Sequence, residues 1–439
     1  MEENLIKIEK KIIDLVQEYS KIKFKSKPFI PGVDYIPPSG KLLGFEEIKS
    51  MTLASLDAWL TTGKFNSLFE QKLKNFLGVK YCLTVNSGSS ANLLAFNTLT
   101  SPKLGSRAIK KGDEVIGVAA GFPTTVNPII QFGAVPVFVD VDIETHNINE
   151  NLIEEAITKK TKAIMLAHAL GNPFNLKKVK EICDKYNLWL IEDTCDALGA
   201  EYENKKVGTF GDIGTLSFYP AHHITMGEGG AVFMNSNQLK TIAESIRDWG
   251  RDCYCAPGKD NTCGCRFTQQ HGDLPFGYDH KYVYSHLGYN LKISDMQAAC
   301  GLAQIQKLDK FIDMRRKNFN YLYQGLKHLN EFLHFAKPTE NSNPSWFGFP
   351  ITLSENSGTK RVDLLKFLEE NKIGTRLLFA GNITKQPYMK NLKYRVHGSL
   401  EMTDKTMNDT FWIGVQPSIT KTQMDYTISK FEEYFGFNF

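Results

Sequence analysis

The sequence predicts an α/β protein with a large domain on a mostly parallel central sheet and a smaller α+β domain at the C-terminal end. Three observations carry this expectation. Between about residues 66 and 235, short apolar runs alternate with helical stretches. Two of those runs end in polar residues suited to ligands, at NSGSS (86–90) and at Asp193. The chain's 439 residues, 42% hydrophobic and 23% charged, suffice for a large core and a second unit.

In chain order, Leu5, Ile8, Ile12, Leu15 and Tyr19 recur at spacings of three and four, the mark of an amphipathic helix. Residues 21–50, rich in Lys, Pro and Gly, read as an arm. The strand-like runs are YCLTV (81–85), DEVIGVA (113–119), VPVFVDV (135–141), AIMLAHAL (163–170), LWLIED (188–193), TLSFY (215–219) and GAVFMN (230–235). Ser294 and Gln297 form a capping-box pattern before one long helix through Ala299, Leu302, Ile305, Leu308 and Ile312. A final amphipathic helix carries Met424, Ile428, Phe431 and Phe435. The expected units are a helix and arm over 1–50, the large α/β domain over 51–315 with an insertion at 251–285, and the α+β domain over 316–439.

Composition narrows the function. A net charge of +4 without a basic cluster does not suggest a nucleic-acid partner. No apolar run is long enough to span a bilayer, and MEENLIKIEKK lacks a basic-then-apolar leader, so no membrane and a cytoplasmic location are expected. In a reducing compartment, clustered cysteines read as metal or cluster ligands rather than disulfides.

NSGSSANLLA (86–95) follows a strand and opens a helix; Gly88 permits close backbone approach, and the N–H groups near Ser89 and Ser90 suit an anion. Asp193 ends an apolar strand, where a carboxylate can keep a pyridine nitrogen protonated. SFYPAHHITMGEGGAVF (217–233) then resembles the signature of the DegT/DnrJ/EryC1/StrS sugar aminotransferases, members of the aspartate-aminotransferase fold group (PLP-dependent transferase fold type I). In that signature a Ser-Phe pair precedes a Schiff-base lysine, then Thr and Gly-Glu-Gly-Gly. This chain keeps Ser217, Phe218, Thr225 and 227–230, but His222 replaces the lysine. The resemblance runs from about residue 45 to the C-terminus, through HLGYNLKISDMQAACG (286–301) and GTRLLFAGNITKQPYM (374–389).

The resemblance implies that Gly88, Ser89 and Ser217 hold the cofactor phosphate, Phe122 stacks on the pyridine ring and Asp193 pairs with its nitrogen. It also implies a homodimer in which Asn290 reaches the neighbouring subunit's cofactor phosphate. Asp196 and Tyr219, at positions where the aminotransferases commonly have Gln or His, and His, join His222 as candidate catalytic residues. Imidazole cannot hold the cofactor aldehyde as a stable imine, but it can serve as a base. The expected cofactor is therefore non-covalent pyridoxamine 5′-phosphate (PMP), and the expected chemistry is dehydration of a keto sugar. Adjacent His223 competes for the base role; in an extended segment the two face opposite ways.

Cys253, Cys255, Cys263 and Cys265 form a C-x-C-x₇-C-x-C pattern, with turn formers Pro257, Gly258, Asp260 and Asn261 between the pairs. Four thiolates suit zinc or an iron–sulfur cluster, and spacing alone leaves the metal open. Cys82, Cys183, Cys195 and Cys300 read as packed core thiols. Histidine and cysteine insertion together resemble one branch of the family, the CDP-4-keto-6-deoxy-D-glucose 3-dehydrases. That likeness implies PMP, a [2Fe-2S] cluster, an NADH-dependent flavin/iron–sulfur reductase and removal of the sugar C3 hydroxyl for 3,6-dideoxyhexoses of lipopolysaccharide. The alternatives are a PMP-dependent dehydratase with structural zinc, and a silent homologue acting as a binding partner. His168 reads as a satisfied strand-end histidine, and Arg376 and Lys385 as surface charges that a substrate diphosphate would also suit.

Overall fold

Each of the seven apolar runs becomes a strand of one eight-stranded sheet in the computed structural model, which describes residues 2–253, 255 and 258–437. They are β1 (Tyr81–Val85), β2 (Glu114–Val118), β3 (Val135–Val139), β4 (Thr161–Ala167) and β5 (Trp189–Asp193), then, beyond a short hairpin of β6 (Glu201–Tyr202) and β7 (Lys205–Lys206), β8 (Ile213–Ser217) and β9 (Gly230–Met234). The sheet order is β1-β9-β8-β5-β4-β2-β3, and only β9 runs antiparallel to its neighbours. Two reversals cancel across β9, so β1 points the same way as β8. The carboxyl ends of β1, β2, β4, β5 and β8 therefore share one edge, where open α/β sheets bind ligands. Helices cover both faces, which is why β3, β5, β8 and β9 are buried throughout rather than alternating.

Later strands are β10 (Leu333–Phe335), β11 (Ser342–Asn343), β12 (Gly348–Leu353), β13 (Arg376–Leu377), β14 (Arg395–Val396) and β15 (Thr410–Gly414). β10, β12, β15 and β13 make an antiparallel four-stranded sheet, and β11 pairs with β6 of the hairpin. A core of Phe349, Phe411, Phe431 and the stacked Phe319–Trp346 pair (3.9 Å between ring centroids) joins this sheet to helices Leu308–Leu326 and Lys421–Tyr434. β14 leaves this region and adds the eighth strand to the large sheet, parallel to β3. Arg395 clasps it there through two hydrogen bonds to Glu114, of 3.0 and 2.8 Å.

The one long helix expected after Ser294 is two, Asp295–Gln304 and Leu308–Leu326, joined by a 3₁₀ turn at Ile305–Lys307. The capping box at its start forms as read. The tighter turn nearly eclipses residues three apart, so Gln304 (2.8 Å) and Lys307 both reach the buried Glu47 of the arm. The second helix runs unbroken through residues 315 and 316. The N-terminal helix spans Glu2–Lys23 and leaves Leu5, Ile8, Leu15 and Tyr19 exposed. Among the described residues, no helix is long and apolar enough to cross a membrane.

Candidate active site

The shared carboxyl edge opens into a cleft of about 530 Å³, large enough for a cofactor and part of a substrate. Gly88 is the first residue of helix Gly88–Thr98, which Ser87 caps by accepting the Ser90 N–H at 3.0 Å. The helix abuts the end of β8 so closely that a Cβ on Gly88 would lie 2.4 Å from that of Ser217. Gly88, Ser89 and Ser217 thus meet at a helix N-terminus with unpaired N–H groups, an anion seat that a larger residue at 88 would fill.

Asp193, ending β5, faces the same cleft and is buried. Asn92 Nδ2 and Thr125 Oγ1 each donate to its Oδ2 at 2.7 Å, and the Cys195 N–H donates to Oδ1 at 3.1 Å. These donors hold the carboxylate in one orientation at the floor of the cleft. Phe122, half exposed at the start of helix Pro123–Phe132, meets Phe379 edge-to-face at 5.8 Å and gives the cleft an aromatic wall. An anion seat, a fixed carboxylate and an aromatic wall around one cleft fit a pyridoxal-type cofactor.

After β8 the chain turns, the His222 N–H donating to the Tyr219 carbonyl at 2.9 Å. His222 lines the cleft with its ring against Phe347, 5.2 Å between centroids. Its Nδ1 lies 3.4 Å from Asp196 Oδ1, an ion-pair distance without hydrogen-bond alignment. Burial pushes the Asp196 carboxyl above its ordinary range, with His222 working against the rise. His223 points away: its Nε2 meets the Ser345 carbonyl at 2.9 Å, and burial holds its pKa well below the usual value. Tyr219 is half exposed at the cleft, and Arg376 lines it too. Among the described residues, no lysine lines the cleft.

Other expected residues separate. Asn290 is exposed, outside this cleft, with its backbone bridged to Asp248. Lys385 pairs with Asp404 at 2.7 Å, away from the cleft. His168 meets Glu192 at 3.2 Å and stacks on Phe174, the satisfied strand-end histidine expected. Cys82, Cys183 and Cys300 are buried; burial pushes the Cys183 thiol up to about 12 and the Cys300 thiol to about 11. Cys195, expected in the core, instead lines the cleft, because its N–H is drawn to the Asp193 carboxylate at the strand end.

Cys253, Cys255 and Cys263 line one small cavity with His280 and Arg266. Cys263, Cys265 and His280 bring ligand atoms within 4.8 Å of one another, and His280 Nδ1 is buried without a partner. Thr262 Oγ1 donates to Cys255 Sγ at 3.1 Å. The loop between the pairs places Asn261 at φ 52° and ties Asp260 to Lys281; Pro257 lies outside the described residues. Four thiols with one orphaned imidazole suit a thiophilic metal or cluster. Sequence reading missed His280, which no cysteine spacing points to, and missed Asn92, Thr125 and Phe347, which only the fold brings to the cleft.

The model of the DegT/DnrJ/EryC1/StrS aminotransferase family matches residues 43–432. The chain is 65% identical to "Lipopolysaccharide biosynthesis protein RfbH" of Salmonella typhimurium, across 98% of this chain and 99% of that protein. It is 48% identical to the dTDP-4-dehydro-2,6-dideoxy-D-glucose 3-dehydratase of Saccharopolyspora spinosa, across 97% and 91% of the two chains. A solved structure of the E. coli GDP-4-keto-6-deoxy-D-mannose-3-dehydratase with bound hydrated PLP superposes with a TM-score of 0.82 at 31% identity, covering 90% of this chain and 99% of that one. The aspartate-aminotransferase-like α/β fold expected from the sequence is the fold observed, and the chain belongs to the DegT/DnrJ/EryC1/StrS aminotransferase family.

Proposed function

We propose that this protein is a nucleotide-sugar 3-dehydratase that removes the C3 hydroxyl of CDP-4-keto-6-deoxy-D-glucose, using non-covalent PMP and a [2Fe-2S] cluster. One observation carries the reading: among the described residues the cleft offers His222, backed by Asp196 at 3.4 Å, and no lysine. Gly88, Ser89 and Ser217 would hold the cofactor phosphate, Phe122 would stack on the ring, and Asp193 would hold the proton on its nitrogen. When bound, PMP supplies an amine for the sugar carbonyl and a ring that stores electrons while a neighbouring hydroxyl leaves. Asp196 beside Nδ1 favours the tautomer protonated there, leaving the Nε2 lone pair of His222 to take a proton from the reacting centre. Tyr219 would face the departing hydroxyl from the open side. Without a lysine, nothing in the cleft can hold the cofactor aldehyde between turnovers, which disfavours amino transfer.

Two of the relatives named above are 3-dehydratases of a dTDP- and a GDP-linked sugar, and the third is named for lipopolysaccharide biosynthesis. The cytidine nucleotide rests on the likeness of GFPTTVNPI (121–129), EDTCDALGA (192–200), FYPAHHIT (218–225) and the cysteine insertion to the CDP-sugar branch. Loss of water followed by net removal of the oxygen requires two electrons and two protons. An NADH-dependent flavin/iron–sulfur reductase would supply the electrons singly through a centre held by Cys253, Cys255, Cys263 and Cys265. Asn290, remote from its own cleft, would serve the partner's in a homodimer. Protein purified without oxygen should carry iron and acid-labile sulfide in equal amounts. Stoichiometric zinc and no sulfide would leave only the dehydratase with a structural metal.

A further inference from the structure

Arg315 is the largest fully buried side chain of the protein's described residues, and it lies directly behind the proposed base. It projects from helix Leu308–Leu326; carbonyls rather than a carboxylate accept from its two terminal nitrogens, and its Nε is buried without a partner. Nη1 donates to the carbonyls of Trp346 (3.2 Å) and Phe347 (3.1 Å), and Nη2 donates to that of His222 (3.3 Å). The guanidinium thus joins the turn that carries the imidazole to the segment whose Phe347 ring packs against that imidazole. From the rest of the preceding chemistry nothing requires a charge here, and a buried guanidinium is costly unless it has a task.

We infer that Arg315 is a positioning residue: its fork fixes the His222 turn, and its charge steadies the Asp196 carboxylate that orients the imidazole. This rests on the role proposed for His222. The groups facing Asp196 are His222, Arg315 and Asp193, and burial acts on it as well. Burial raises the carboxyl's pKa most, while Arg315 and His222 oppose that rise. Burial brings the pKa of Arg315 down to about 10, with Asp196 opposing the fall, so it stays charged at neutral pH. Lysine has one ammonium and no planar fork, so it can supply the charge but not three directed bonds at once.

The test uses Arg315→Gln and Arg315→Lys in the full chain, with PMP and CDP-4-keto-6-deoxy-D-glucose as probes. Arg315→Gln should lower kcat by about tenfold or more with KM within roughly twofold, and move the acid limb of the pH–rate profile to higher pH. Arg315→Lys should keep the limb in place while recovering only part of kcat. Nitrogen-15 histidine spectra of the protein without substrate should show His222 as one tautomer in wild type and as a mixture in Arg315→Gln. An unmoved acid limb with unchanged His222 signals in Arg315→Gln would overturn the inference. So would a loss of PMP affinity that matches the loss of kcat, since that marks a merely structural role. If glutamine prevents folding, Arg315→Lys decides alone: wild-type kcat contradicts the inference, and a reduced kcat with an unmoved limb supports it. Absence of turnover in wild type would count against the proposed function, while the histidine spectra would still report on Arg315.

Discussion

His222 and Asp196 face each other in the cleft, Nδ1 to Oδ1, at 3.4 Å. The pairing gives a direction to a ring that packs at a tilt against Phe347. Burial raises the Asp196 carboxyl's pKa. A raised carboxyl is ionised above its folded value and neutral below it, so lowering the pH removes the negative partner of His222. Activity should fall as pH drops through that raised value. Asp196→Asn should lower kcat by roughly 10–100-fold and should lack this limb. A pH–rate profile of the two proteins checks it; an identical acid limb in the variant would assign the titration elsewhere.

Replacing His222 separates seat from base. His222→Asn should reduce dehydration by about a hundredfold or more while PMP affinity and the visible absorbance of the proposed cluster persist. His222→Lys places an amine where the family signature has one. After incubation with pyridoxal phosphate and borohydride, the peptide carrying position 222 should gain the mass of the reduced adduct. Retained turnover in His222→Asn would shift the base role to another residue. His223 is a poor candidate, since its Nε2 is taken by the Ser345 carbonyl.

The anion seat proposed for the cofactor phosphate depends on absent atoms. A Cβ at position 88 would fall 2.4 Å from the Ser217 Cβ, a contact that forces backbone apart rather than a flexible tip aside. Gly88→Ala should cost about 1–3 kcal/mol of stability and weaken PMP binding. Fluorescence titration with PMP and a thermal melt report the two effects. Wild-type affinity would show that the seat lies elsewhere on the edge.

Much of this was legible in the sequence. All seven long strands of the large sheet could be read, because parallel strands covered on both faces are near-continuous apolar runs. β14 could not: two residues carry no periodicity, and the Arg395–Glu114 clasp that holds them forms across a separation of 281 residues. The break at 305–307 was hidden because a 3₁₀ turn preserves the spacing of three on which the helix reading relied. At the site, Gly88, Ser89, Asp193, Ser217 and His222 were found because they sit in local motifs at strand ends. Asn92 and Thr125 were not, although they sit on the helices that begin at Gly88 and just after Phe122, because only the fold turns them onto Asp193; Phe347, Arg315 and His280 reach their sites from separate segments with an ordinary local context.

The clasp itself is testable by acid. Burial works to raise the Glu114 carboxyl, but the hydrogen bonds from Arg395 and Thr158 outweigh it and hold it below the usual range. A depressed carboxyl stabilises the folded state above its unfolded pKa, and that contribution is lost as pH falls through the folded value. Arg395→Ala should cost roughly 1–3 kcal/mol at neutral pH, and the difference from wild type should shrink in acid. Urea unfolding at neutral and acidic pH measures both; a difference that persists unchanged in acid would detach Glu114 from the effect.

The central claim is that a lysine-free cleft removes oxygen instead of adding nitrogen. Mass spectrometry of the sugar nucleotide formed from CDP-4-keto-6-deoxy-D-glucose, with anaerobically purified protein, PMP and a one-electron donor, tests it most directly. The account predicts a product lighter than the substrate by one oxygen, with its ketone intact, formed only when the donor is present. A product in which the ketone has become an amine, or substrate returned unchanged under these conditions, would contradict it.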